Sequence, residues 1–177
     1  MVRDSEKINV LNLIVAVFMW LIVGAWTYLI FRLSSENAFD SFDRSANIAV
    51  MFRESIGFSI SQTFVRKGAI VLEFAFLAFA VYQGMFYTNG ISSKYSVAAS
   101  PIKVVKHTNE LCILYSLWLT ILVAAFNEYF QLFVEGRDAT ITDVGIATAG
   151  AIVVLLICRM AFLIRLRLEN RDESEFD

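Results

Sequence analysis

The sequence predicts an all-α membrane protein whose four transmembrane helices pack as one bundle. Hydrophobic residues make up 58% of the 177 positions and charged residues only 18%, a balance that is unusual for a soluble domain. The apolar residues are gathered into four runs, each near the roughly 20 residues that a helix needs to cross a hydrocarbon layer about 30 Å thick. One proline in the whole chain leaves little to interrupt long helices.

The four runs predict spans at approximately residues 8–31, 68–87, 108–134 and 144–164, within a single domain that covers residues 1–168. The first run is longer than the apolar core of a signal peptide, so we expect it to be retained as a helix. Pro101 and nearby glycines mark the loop between the second and third runs. The acidic end, residues 169–177, is expected to be disordered.

A polar segment separates the first two runs. Within it Ile48, Phe52, Ile56 and Ile60 recur at every fourth position, which places one apolar stripe along a helix. The segment is too polar to cross a membrane. It therefore forms either an amphipathic helix at the membrane surface around residues 45–60 or an irregular loop.

Basic residues indicate which way the bundle faces. Four spans put both termini on one side of the membrane, and the basic residues of that side lie in short segments. They are Arg3, Lys7, Lys94, Lys103, Lys106, Arg165, Arg167 and Arg171. The other side has fewer, and most of them lie in or beside the longer first loop. They are Arg32, Arg44, Arg53, Arg66, Lys67 and Arg137. Because short loops dominate the positive-inside rule, we expect both termini in the cytoplasm.

Composition also excludes several classes of protein. A net charge of -2 argues against a nucleic-acid partner, which would require a basic face. Cys112 and Cys158 fall inside apolar runs, where a free cysteine behaves as a small buried hydrophobe. His107 has no companion at a metal-ligand spacing, so we predict neither a metal site nor a cofactor.

Carboxylates inside the apolar runs predict a polar site. Glu73 lies within the second run, and Glu128 lies one helical turn from Gln131 at the end of the third. An ionised side chain at bilayer depth costs about 2.5–3.5 kcal/mol, so it normally faces the protein interior. With the expected orientation, seven residues from three helices converge on the extracytoplasmic side. These candidate ligand-binding residues are Arg66, Lys67, Glu73, Glu128, Gln131, Arg137 and Asp143.

The segment that joins the third and fourth runs contains a helix start signal. Thr140 and Asp143 are three residues apart and match the capping box, in which each side chain satisfies a free backbone amide of the other residue. The fourth helix then begins with small residues at four-residue spacing, the pairs Gly145 with Ala149 and Ala147 with Ala151. Such pairs let neighbouring helices approach closely in lipid.

The order of these residues resembles the VanZ-like family. The resemblance rests on Ser34-Ser35 after the first span, Arg66-Lys67 with Glu73, Glu128 and Gln131 followed by Gly136-Arg137, and Asp143-Val144 with Gly150. It covers the chain from about residue 30 to residue 160. Ile70 stands where the family commonly has histidine, and Ala147 where it has asparagine. The resemblance implies a multi-pass protein of the bacterial plasma membrane, in a family associated with low-level resistance to glycopeptide antibiotics such as teicoplanin.

The candidate residues favour a binding site for an anionic cell-wall or lipid-linked ligand, because the planar guanidinium of arginine binds phosphate and carboxylate in two places at once. Three alternatives remain. Glu73 and Glu128 could be the acid and base of an enzyme acting on a lipid phosphate, or hold a hard cation with Asp143. The polar residues could form a structural network without a ligand, or belong to a small transporter. Without a histidine on that side or a reactive cysteine, the sequence favours binding over catalysis.

Overall fold

The described residues of the protein form a bundle of five α-helices. The computed structural model describes residues 8–57, 61–91 and 102–175, and no β-strand occurs in these ranges. The helices are α1 (Val10–Ser34), α2 (Ala38–Ile56), α3 (Gln62–Asn89), α4 (Ile102–Gln131) and α5 (Ile141–Glu175). Four segments are long and apolar enough to cross a membrane, namely Val10–Ser34, Gln62–Asn89, Val105–Gln131 and Ile141–Leu168. The predicted all-α bundle with four transmembrane helices is confirmed.

The four spanning helices alternate in direction. The side chain of Asn12 donates a hydrogen bond of 2.6 Å to the Gly90 carbonyl, which joins the start of α1 to the end of α3. Arg159 lies 3.2 Å from Glu110, so the end of α5 meets the start of α4 on that same side. The opposite side holds the end of α1, all of α2, the starts of α3 and α5 and the end of α4. We call it the cavity end.

Two helix boundaries at the cavity end differ from the sequence prediction. The Ser61 hydroxyl accepts a 3.2 Å hydrogen bond from the Phe64 amide, so α3 begins at Gln62 and its first turns include charged residues that were expected to precede the span. Helix α4 ends at Gln131 rather than at residue 134, because the chain reverses through turns that lead to Gly136 with φ of 73°. Only glycine adopts this backbone conformation without strain.

At the other end of the chain, α5 continues to Glu175 through most of the acidic segment for which the sequence predicts disorder. Glutamate and arginine are good helix formers, and the segment follows directly from a long spanning helix, so no nucleation is needed to extend it.

The polar segment between the first two spans is the helix α2, not an irregular loop. Asn37 caps its start by accepting a 2.9 Å hydrogen bond from the Asp40 amide, and Gly57 ends it in the left-handed conformation. The helix thus begins before the expected residue 45. Of the predicted apolar stripe, Phe52 is exposed, whereas the Ile56 side chain and Ile60 lie outside the described residues. Its position at a membrane surface remains a prediction.

Small residues set the distance between α3 and α5, which share the most extensive helix contact in the bundle. A Cβ atom on Gly150 would lie 2.6 Å from the Val71 carbonyl oxygen and 3.2 Å from the Val71 Cα, so a side chain there would force the backbones apart. Ala147 and Ala151 are fully buried in this contact, as predicted. The pair Gly145 and Ala149 is exposed instead, so that part of the prediction is wrong.

Candidate functional site

A cavity of about 300 Å³ opens at the cavity end, between α2 and the four spanning helices. Most of its lining residues are polar or charged, although it lies next to an apolar core formed around Ile30, Phe74 and Leu77. The polar and charged lining residues are Ser34, Ser41, Arg44, Ser45, Arg66, Glu73, Asn127, Glu128, Gln131, Arg137 and Asp143. Buried polar groups of this number at the end of a membrane bundle require partners or a ligand.

The structure brings together six of the seven candidate residues. Arg66, Glu73, Glu128, Gln131, Arg137 and Asp143 all line the cavity. Lys67 does not, and its side chain is exposed. Successive residues of an α-helix point about 100° apart, and of this pair only Arg66 lines the cavity. This difference provides a matched pair of basic residues, one inside the cavity and one outside it.

Glu128 ties α4 to the start of α5. One oxygen, Oε2, accepts a 3.0 Å hydrogen bond from the Thr140 amide, and the other, Oε1, accepts one of 3.0 Å from the side-chain amide of Gln131. The Thr140 hydroxyl in turn accepts from the Asp143 amide at 3.3 Å. Half of the predicted capping box is therefore present, while Glu128 from a neighbouring helix replaces Asp143 in the other half.

This exchange leaves the Asp143 carboxylate directed at a cation instead of at its own helix cap. Its Oδ2 atom lies 4.0 Å from Nη2 of Arg66, and the Asp143 side chain is 11% exposed. Gln131 extends the polar network to α1 through a 3.4 Å hydrogen bond to the Ser34 hydroxyl. Glu128 and Gln131 thus fix the relative positions of α1, α4 and α5, as the structural alternative predicted for polar residues at this depth.

Three arginines surround the cavity, but their pairing differs. Arg44 is neutralised by Glu36 through a salt bridge and a hydrogen bond of 3.0 Å. Arg66 has only the 4.0 Å contact with Asp143. Arg137 has no carboxylate within ion-pair distance among the described residues, and its guanidinium donates one long hydrogen bond of 3.4 Å to the Leu33 carbonyl.

The electrostatic surroundings of Arg137 leave positive charge at the mouth of the cavity. Burial lowers the pKa of the Arg137 guanidinium, and the positive charges of Arg66 and Arg44 lower it further, against the opposite effect of Glu36 and Glu128. Arginine nevertheless stays protonated in proteins. A half-buried cation that forms no ion pair with a described residue, near two other cations, is stabilised by an anion that binds between them.

Most of the chain matches a known family. The family model VanZ/LLP1 matches residues 18–164. The chain belongs to the VanZ/LLP1 family. The matched range contains every residue that lines the cavity. The chain matches no curated protein and no solved structure.

Both departures from the VanZ-like pattern can now be placed. Ile70, at the position where histidine is common, lines the cavity and gives it an apolar wall without a titratable group. Ala147, at the asparagine position, is 1% exposed and belongs to the apolar cluster beneath the cavity. Residue 70 therefore supplies no imidazole to the cavity.

Two features of this VanZ/LLP1 cavity escaped the sequence analysis. Helix α2 contributes Ser41, Arg44, Ser45 and Ile48, which are spaced as one face of a helix. The sequence pattern predicted only the apolar stripe of that segment, which shares Ile48 with this face. Asn127 also lines the cavity, although the sequence indicated it only as the start of the segment that contains Glu128. Its Oδ1 atom is buried and has no hydrogen-bond partner among the described residues.

Metal ligation finds no support in the described ranges, where no group of three or more histidine, cysteine, aspartate or glutamate residues is placed to hold an ion. The lack of a metal site remains a prediction from sequence. Cys112 and Cys158 are free thiols within the spans.

Proposed function

We propose that the cavity is an extracytoplasmic binding site for an anionic ligand of the cell envelope, either lipid-linked or a cell-wall precursor. The observation that carries the proposal is the Arg137 guanidinium, which is half-buried at the cavity and lacks a carboxylate partner in the part of the chain that the structure describes. Arg66, with only a 4.0 Å contact to Asp143, is the second cation available to a ligand. Two guanidinium groups at one cavity favour phosphate or carboxylate, which arginine binds through paired hydrogen bonds.

The expected membrane orientation supports a ligand on the outer side. With both termini in the cytoplasm, the cavity end faces the envelope, where lipid-linked wall precursors and phospholipid headgroups meet the protein. Helix α2 presents exposed Phe39, Phe42 and Met51, side chains that suit an amphipathic helix at the lipid surface. A ligand anchored in the outer leaflet would thus reach the cavity without leaving the membrane.

Binding is favoured over catalysis by the state of Glu128. Both of its oxygens already accept hydrogen bonds, from Thr140 and Gln131, so it is poorly placed to exchange a proton with a substrate. The enzyme alternative, in which Glu73 and Glu128 act as an acid and base pair, would have to break this cap in each turnover.

The binding test compares neighbouring basic residues. Purified protein in detergent is titrated with phosphatidylglycerol, and binding is followed by the rise in melting temperature. Arg66→Ala and Arg137→Ala should each weaken apparent affinity about tenfold or more, because each removes hydrogen bonds to a charged group worth about 1.5–3 kcal/mol. Lys67→Ala, outside the cavity, should leave affinity unchanged. Equal losses in all three variants would contradict the cavity as the binding site.

The physiological test uses glycopeptide sensitivity. A bacterium that expresses the chain should tolerate more teicoplanin than a control strain, and Arg137→Ala should remove the difference at equal protein level in the membrane. Arg32→Ala is the control, because Arg32 is an exposed arginine in the last turn of α1 and does not line the cavity. If the Arg137→Ala strain keeps the increased tolerance of teicoplanin, the cavity is not responsible for resistance.

A further inference from the structure

Two hydrogen-bond acceptors in the cavity have no donor among the described residues. The Glu73 carboxylate makes no hydrogen bond or ion pair with any described residue. Asn127 is 5% exposed, and its Oδ1 atom is buried without a partner. A carboxylate and an amide oxygen accept hydrogen bonds and cannot satisfy each other. Leaving the buried Asn127 oxygen without a donor is costly, and an ionised Glu73 at this depth also favours a partner.

The acceptors lie deeper in the bundle than the free guanidinium groups. Arg66 and Glu73 are seven residues apart on α3 and line the same cavity, so Glu73 lies about two turns, or roughly 10 Å, further from the helix start. Asn127 lies one turn inside the end of α4 at Gln131. Arg137 belongs to the connection between α4 and α5 at the cavity mouth. The cavity thus has hydrogen-bond donors at its mouth and acceptors further in.

A ligand that matches this arrangement carries an anionic group for the cavity mouth. A short extension from that group carries a hydrogen-bond donor that reaches the inner acceptors. A primary ammonium group suits the inner position better than a hydroxyl group does. It supplies up to three donors, and its positive charge offsets the cost of an ionised Glu73 in a membrane. Arg44 and Arg137 act electrostatically on Glu73, but neither forms an ion pair with it.

The remaining lining favours a lipid as the source of this headgroup. Leu33, Ile48, Val65, Ile70 and Phe74 give the cavity an apolar side, which a small water-soluble zwitterion would leave uncovered. The glycerol and first acyl carbons of a phospholipid would cover it and add favourable apolar burial.

We infer that the cavity selects a zwitterionic phospholipid headgroup, with the phosphate bound by Arg66 and Arg137 and the primary ammonium bound by Glu73 and Asn127. This inference rests on the proposed function, because the phosphate of the zwitterion is the anionic group that the proposed site binds. Phosphatidylethanolamine is the simplest lipid with both groups.

The test measures selectivity between two lipids with identical acyl chains, phosphatidylethanolamine and phosphatidylglycerol, by native mass spectrometry of the full chain. Wild type should prefer phosphatidylethanolamine by about tenfold, the factor expected from one hydrogen bond between charged groups. Glu73→Gln keeps the shape of the side chain and should abolish the preference, whereas Arg137→Ala should weaken binding of both lipids. Glu110→Gln, an exposed carboxylate at the opposite end of the bundle, should change neither.

The outcomes separate the two proposals. Equal binding of the two lipids by wild type, with Arg137 still required, overturns the ammonium site and leaves the anion site standing. If Arg137→Ala binds the lipids as tightly as wild type does, both the anion site and the ammonium site are overturned. Soluble O-phosphoethanolamine should displace the lipid only at much higher concentration; displacement at equal concentration would overturn the assignment to a lipid. Melting temperatures of all variants within a few degrees of wild type confirm that binding, not folding, is measured.

Discussion

Replacing Glu128 with alanine should loosen the junction between α4 and α5. The wild-type carboxylate accepts hydrogen bonds from the Thr140 amide and from the Gln131 side chain, each at 3.0 Å, and Glu128 is only 8% exposed. In Glu128→Ala the first backbone amide of the α5 cap has no acceptor, and water reaches this site poorly. The expected result is a lower melting temperature without loss of the spanning helices.

The size of the effect follows from the unpaired groups. A buried donor left without its acceptor costs about 1–3 kcal/mol, and we expect about 2 kcal/mol, since the cavity admits some water near Gln131. For a chain of this length, 1 kcal/mol corresponds to about 2–4 °C, so the melting temperature should fall by about 4–8 °C. Glu128→Gln retains one acceptor oxygen and should lose about half as much.

The assay is thermal unfolding of detergent-purified variants followed by circular dichroism. Glu135→Ala is the matched control, because Glu135 is an exposed carboxylate in the same connection between α4 and α5 and should have no effect. If Glu128→Ala has the melting temperature of wild type, Glu128 does not cap α5 from the neighbouring helix. Glu128 would then be free to act on a ligand.

Two further predictions concern packing and orientation. Gly150→Ala should lower stability by about 1–3 kcal/mol through overpacking, because its Cβ would meet the Val71 backbone; Gly145→Ala, with open space around it, should be neutral or stabilising by up to about 1 kcal/mol from helix propensity. A melting temperature lowered by Gly150→Ala and not by Gly145→Ala confirms the contact between α3 and α5. Equal decreases in the two variants contradict it. Asp138→Cys should react with a membrane-impermeant maleimide in intact cells, whereas His107→Cys, exposed at the other end, should not; the reverse pattern would place the cavity in the cytoplasm.

Much of the fold follows from the sequence because hydropathy alone selects the spans. The boundaries were less predictable. Phe133 and Val134 extend the apolar run past Gln131, yet α4 stops there because Gly136 turns the chain. At α3 the charged pair Arg66 and Lys67 suggested a start that the Ser61 cap places several residues earlier. In both cases a local backbone signal outweighs the hydropathy of its neighbours.

The candidate site was predictable where a charged residue interrupts an apolar run, as at Glu73 and Glu128. The site was not predictable where a residue lines the cavity only because its face of the helix turns inward. The sequence could not show that Arg66 lines the cavity and Lys67 does not. The partnership of Glu128 with the Thr140 amide joins residues of different helices, and no spacing rule within one helix reveals it. Asn127 illustrates the same limit, since its missing partner is a property of the folded cavity.

The central claim is that guanidinium groups at the cavity end bind the phosphate of an envelope ligand. The most direct measurement is a crystal structure grown in a lipid mesophase doped with phosphatidylethanolamine. We predict headgroup density in the cavity, with phosphate oxygens within about 3 Å of the Arg66 and Arg137 guanidinium groups and the ammonium beside Glu73. A cavity that contains only water or an acyl chain, with Arg137 still bonded to the Leu33 carbonyl, would contradict the account.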